Sequence, residues 1–215
     1  MGWNDLADLP FAATLRIHRG DLAPAEAYEG AHFDQVDLDQ PDAHGSRFLE
    51  CAFTRASIQE GQLRRAQFTD VWLRDVRLIS TTLAESGWTG AEITGSVAAG
   101  AEAFAARLRG VSLRGCKLDS VNFRDAELID VVFDGCLLRA PDFGSARLTR
   151  VRFTDCRLDQ ADLSKVTLDQ VDLRGAELGL IITPDSLRGA VVSTAQLYQL
   201  APVIAETLGI SVDGP

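Results

Sequence analysis

Between Ala106 and Leu178 the chain carries sixteen Leu or Phe residues, and fifteen of them fall on every fifth position from Leu108 to Leu178; only Leu137 is out of phase. Two residues before each stands something small or β-branched, reading Ala, Val or Cys, with Pro141 the one departure. A period of five fits neither the 3.6 residues of a helical turn nor the simple alternation of a strand, so it must come from a repeat. In extended chain, alternate side chains share a face. Positions i−2 and i of each unit therefore point one way and i−1 the other, and the next two residues turn a corner that resets the alternation. A large residue at i fills an interior and the small one at i−2 leaves room beside it, as in a narrow barrel or β-helix.

The same phase runs upstream without a slip, through Phe33, Leu38, Ala43, Phe48, Phe53, Ile58, Leu63, Phe68, Leu73, Leu78, Leu83, Trp88, Ile93, Ala98 and Ala103. Units such as Ala161-Asp162-Leu163-Ser164-Lys165, Val171-Asp172-Leu173-Arg174-Gly175 and Ala126-Glu127-Leu128-Ile129-Asp130 resemble the A-[D/N]-L-x-x motif of the pentapeptide-repeat family. The resemblance implies an all-β solenoid, a right-handed quadrilateral β-helix with four units per coil. Thirty units from 33 to 178 then make about seven coils.

This divides the chain into an N-terminal cap over 1–30, a pentapeptide-repeat β-helix over 31–180, and a tail over 181–215. Stacked coils leave an open strand edge and an apolar end, both of which solenoids normally cover. In the tail, residues 187–192 suit one last irregular strand. Ser193 followed by Gln196 predicts a capping box. The helix beyond it sets Leu197, Leu200, Ile204 and Leu208 along one stripe, with Pro202 predicting a kink or two short helices. This module is either a plain cap or, as the resemblance to the quinolone-resistance branch implies, a homodimerisation element. Within the rod, the Ala- and Gly-rich stretch 95–106 is either a thin coil with glycine corners or a loop leaving the scaffold, with Phe104 off register.

Composition narrows the function. A net charge of −10 and a pI near 4.7 argue against direct contact with nucleic acid or anionic membranes, which needs a basic surface. The first ten residues hold Asp5 and Asp8 and no basic residue, so no signal peptide is expected; no apolar run reaches membrane-spanning length, and a cytoplasmic location follows. Cys51, Cys116, Cys136 and Cys156 all fall on the inward i−2 position, the last three spaced by twenty, and are expected to be reduced, buried and unreactive. With no CxxC and no catalytic spacing around His18, His32 or His44, neither an enzyme, a metal nor a cofactor is expected.

The outer surface then has to carry the function, and two readings stay open. One is a non-catalytic protein–protein interaction scaffold, anchored by outward apolar residues, foremost Trp72, or by Phe104. The other, implied by the family resemblance, is an acidic rod that mimics DNA and binds DNA gyrase or topoisomerase IV. Its best local candidates are Asp119, Asp125, Glu127, Asp130 and Asp134. Over 31–178 there are 23 acidic and 18 basic residues, intermixed on every side, where a phosphate mimic wants an unbroken negative stripe.

Overall fold

In the computed structural model, which describes residue 3 and residues 5–211, each repeat unit forms a short strand centred on its large residue. Val132–Asp134 around Phe133 is typical. It pairs in parallel with the strands twenty residues before and after, aligning Leu113, Phe133 and Phe153. Twenty residues are four units, so each coil has four sides. Side 1 carries Phe33 and Phe53, side 2 Leu38 and Ile58, side 3 Ala43 and Leu63, and side 4 Phe48 and Phe68. Sides 1, 2 and 4 are ladders of ten, eight and eight strands, and side 3 is a column of single bridges from Asp42 to Asp162. The solenoid makes about eight turns. Residues 1, 2, 4 and 212–215 of the expected end segments lie outside the described residues.

The fifth residue of nearly every unit sits in the left-handed region, Asp125 and Asp130 at φ +55° and Gly110 at +62° among them. That conformation costs an ordinary L-residue about 1–2 kcal/mol. The stack holds it there because each corner amide donates to the next coil, as Asp125 N–H does to the Gly144 carbonyl at 3.1 Å.

The bore is one continuous apolar column. Phe33, Phe53, Phe133 and Phe153 are buried on side 1 with Leu73, Leu113 and Leu173, as the register predicts. Phe33 stacks on Phe53 at 4.4 Å and Phe133 on Phe153 at 4.7 Å, close to the strand spacing that sets them. On side 4 a second stack runs Tyr28, Phe48, Phe68, Trp88 at 4.9, 4.8 and 3.9 Å. Its first member shows the ladder beginning at Ala27–Glu29, one unit before Phe33.

The small i−2 residue has a role that size alone does not explain. Cys51 Sγ donates to the carbonyls of Tyr28 and Leu49 at 3.3 Å, and Cys116 and Cys136 do likewise at 3.4 Å. Ser46, Thr81 and Ser186 fill the same position in other coils and donate to equivalent carbonyls. The inward corner is thus a niche for a small donor. All four cysteines are buried and free. Burial pushes the Cys51 thiol up to about 11. Hydrogen bonding to Cys136 between them, and then burial, hold Cys116 and Cys156 well above the ordinary thiol range.

Residues 95–106 form a coil in register, not a loop. Val97–Ala99 pairs with Arg77–Ile79 below and Lys117–Asp119 above, and Glu102 bridges Thr82 and Asn122. Phe104 takes a corner position and is exposed.

At the C-terminal end Ala190–Val191 extends side 1, and Ser193 and Gln196 form the expected capping box on a helix over Thr194–Thr207. Gln196 also turns inward, donating to the carbonyls of Leu173 and Ala176 at 2.6 and 2.8 Å, so the helix plugs the bore. Of the two outcomes expected at Pro202, the split into two short helices is absent: one helix runs through it. Pro202 and Tyr198 are both exposed, so water can serve the carbonyl that proline leaves without a donor. The expected single stripe is also split. Leu200 is buried and Ile204 half-buried, but Leu197 and Leu208 lie exposed with Tyr198, Val203 and Ile210.

Candidate interaction surface

The N-terminal segment does more than close an end. Arg16–Ile17 adds an edge strand to side 1 and His18 packs against Tyr28 and Phe33 at the mouth of the bore. Upstream of this the chain turns and runs along the outside of side 1. Two short 3-10 turns, Leu6–Asp8 and Ala12–Thr14, shape it, the first started by an Asp5 cap. Leu9 and Phe11 point at the rod and bury Ala52 and Trp72, with Trp3, Leu6, Ala12 and Leu15 around them. Trp3 stacks edge-on to Phe11 at 5.9 Å, and its amide donates to Glu92 Oε2 at 2.8 Å.

This corrects the expectation for Trp72. Its side chain does point outward from the coil, but the strap leaves it 1% exposed. Its indole N–H is buried without a hydrogen-bond partner among the described residues, and the Arg74 guanidinium lies 5.9 Å from its ring centre. It is therefore a core residue of a second, external cluster and no contact for a partner while the strap is in place.

The strap borders a polar relay. Thr54 Oγ1 donates to Asp34 at 2.5 Å, which Arg55 also meets at 2.5 Å. The hydroxyl proton being so engaged, the 2.8 Å contact from His32 Nε2 has to be an N–H donated to Thr54, making His32 the neutral Nε2–H tautomer. Burial first, then Arg55, lowers the His32 pKa against the opposing pull of Asp34.

The acidic candidates do not gather into one strip. Asp119 is on side 2, Asp125 at a corner after side 3, Glu127 on side 4, Asp130 at the next corner and Asp134 on side 1, so they circle the rod within one coil. Two of them are paired with arginines one coil on: Asp119 with Arg139 at 3.3 Å, and Asp130 with Arg150 through two bonds of 2.6 and 2.7 Å. That bidentate contact holds the Asp130 carboxyl below its ordinary range. The same coil-to-coil pairing recurs at Asp34–Arg55, Arg124–Asp142, Glu92–Arg114, and Glu85 with both Arg64 and Arg65. Asp125, Glu127 and Asp134 stand outside any ion pair among the described residues.

Exposed apolar side chains are sparse on the rod, where Leu49 and Phe104 stand about two-fifths exposed, and concentrated on the C-terminal helix, where Tyr198 is 77% exposed. Among the described residues no group of three or more His, Cys, Asp or Glu could hold a metal ion, and no helix is long and apolar enough to cross a membrane.

Two family models match the chain, one described as a pentapeptide repeat region over residues 106–181 and one as pentapeptide repeats (8 copies) over 31–70. No curated protein matches. Among solved structures, a trypsin-treated variant of QnrB1, a plasmid-mediated fluoroquinolone resistance protein, superposes with a TM-score of 0.61 at 19% identity, covering 92% of this chain and 96% of that one. HetL, a pentapeptide repeat protein involved in heterocyst differentiation regulation in the cyanobacterium Nostoc sp. strain PCC 7120, gives 0.50 at 20% identity, covering 81% and 86%. At these identities the likeness is one of fold.

Proposed function

The chain belongs to the pentapeptide-repeat family, and we propose that it is a non-catalytic protein–protein interaction scaffold. The observation that carries this over DNA mimicry is the pairing of acids with arginines between coils, above all Asp130 with Arg150 and Asp119 with Arg139. A surface that competes for a DNA-binding groove needs carboxylates free to replace phosphates. Here two of the five candidates are paired with arginines, and the five wrap one coil. The anchoring residues are the exposed apolar side chains: Phe104 on the rod, and Leu197, Tyr198 and Leu208 on the helix, which we assign to a second copy of the chain.

A supercoiling assay with DNA gyrase, run beside topoisomerase IV decatenation, tests the choice. The expected result is no inhibition at stoichiometric amounts. Potent inhibition that weakens with salt and is abolished by reversing Asp125, Asp130 and Asp134 to Lys would replace the scaffold with the mimic. Light scattering tests the helix: Tyr198→Glu should convert a dimer to a monomer, and a wild-type monomer would remove that assignment.

A further inference from the structure

Apart from Ala43, the fully buried first centre on side 3, the inner columns of the rod are filled by large side chains until the coil of residues 86–105. On side 2 the centres run Leu38, Ile58, Leu78, Ala98, Leu118, Leu138, and on side 3 Leu63, Leu83, Ala103, Phe123. Both columns shrink to Ala in the same coil, on adjacent sides. Trp88, on side 4 of that coil, is held against Phe68 by stacking at 3.9 Å and by its N–H bond to Ser86 Oγ at 2.9 Å, so it cannot swing across to fill the gap. The result is a cavity of about 70 Å³ inside the rod, lined by Leu78, Ile93, Ala98, Ala103, Leu108 and Leu118. Its walls show in the accessibilities. Ala98 and Leu108 keep 9% and 7% exposure, whereas Leu128, Phe133, Leu138 and Phe143, one coil beyond Leu108, keep 0%.

Water has no reason to occupy it. The polar side chains at its edge are already satisfied: Ser96 Oγ donates to the Thr94 carbonyl and accepts from Val76 N–H, and the Cys116 thiol donates to the Ile93 carbonyl. A buried water needs two to four polar partners, and cavities lined by Leu and Ile alone stay dry and admit apolar guests. Size then selects the guest. An apolar cavity of about 150 Å³ takes benzene or xenon. Less than half that volume excludes the ring and leaves room for a single small body without hydrogen-bonding groups.

We propose that the thin coil of the rod is a binding site for one small apolar guest of xenon or dioxygen size, seated between Ala98, Ala103 and the flat of Trp88. The site is independent of the outer surface and of any protein partner. It gives the thin coil an occupant that the regular Leu and Phe coils exclude.

Xenon is the probe. Methyl spectra of the full chain under increasing xenon pressure should show shifts confined to Leu78, Ile93, Leu108 and Leu118, saturating with pressure as a single site does. Benzene should give none. Ala98→Leu, which restores the residue found at 78 and 118, should abolish the xenon response, and Ala103→Leu should do so independently. Shifts that rise linearly with pressure and spread over the molecule would overturn the proposal in the wild type alone, whatever the variants do. So would localised shifts that survive in both filled variants.

Discussion

Trp72 and Val132 occupy the same outward position on side 1, three coils apart in one ladder through Glu92 and Ser112. One is sealed under the N-terminal strap and the other is half-buried on the open rod. Identical places in the repeat therefore have different energetics, and what decides between them is a segment outside the repeat. The solenoid sets where a side chain points; a non-repeating segment sets whether water reaches it.

Substitutions that truncate each position sharpen this contrast most. Phe133→Ala, in the bore, should cost about 3–5 kcal/mol, the usual range for a buried aromatic. Trp72→Ala should fall in the same range although it lies outside the coil, because Leu9 and Phe11 enclose it. Val132→Ala should stay within about 0.5 kcal/mol. Urea unfolding of the three variants measures all of these. A Trp72→Ala cost near that of Val132→Ala would show that the strap does not pack. A small cost for Phe133→Ala would break the register itself.

Removal of the strap should have a smaller, local effect. Among the described residues from Asp5 to Leu15 its backbone hydrogen bonds are internal turns, and it is held to the rod by side-chain burial and the Trp3–Glu92 bond. Compared with the full chain carrying Trp3→Phe, a chain beginning at Leu15 should keep its β dichroism. Trp72 emission should move to the red and become open to acrylamide, with Trp88 as the unaltered internal reference. Unchanged quenching would mean that the strap does not cover Trp72 in solution.

The repeat was legible because its signal is dense: one large residue in five, phase-locked from Phe33 to Leu178, admits a single inward assignment. The same logic placed the cysteines and the side-1 phenylalanines correctly. The strap was illegible because Leu6, Leu9, Phe11 and Leu15 follow no period, and a packed but irregular segment looks like any other irregular segment. A pointer did exist. Ala52 and Trp72 stand one coil apart in an outward column, an apolar pair where polar residues are expected, beside a stretch of apolar residues with no assigned home. The ion-pair pattern was hidden for another reason. Partners such as Asp130 and Arg150 are separated by a full coil, and corner side chains can lean toward either neighbouring coil. Their exposed pairs contribute little to stability, but they decide how much negative charge remains available on the surface.

The smallest effect distinguishes the strapped stretch by its response to acid. His32 is buried and neutral, with Thr54, Asp34 and Arg55 as its polar and charged neighbours, and burial holds its pKa below the ordinary 6.5. In the unfolded chain it takes up a proton as pH falls past 6.5, while the folded form resists. The unfolded state then binds more protons, so stability drops with falling pH in the window just below 6.5, by at most about 1.4 kcal/mol per pH unit for one group. Asp34 acts later. The hydrogen bond from Thr54, then Arg55, lowers its pKa from 3.8, so its contribution is present above 3.8 and is lost as pH falls through the lower folded value. Unfolding free energies measured from pH 7 to pH 3 should show two descending steps. His32→Gln, which keeps an N–H donor toward Thr54 but cannot titrate, should remove the upper step and leave the lower one. If the upper step persists in that variant, another group is responsible, and His32 is protonated as readily in the folded rod as in the unfolded chain.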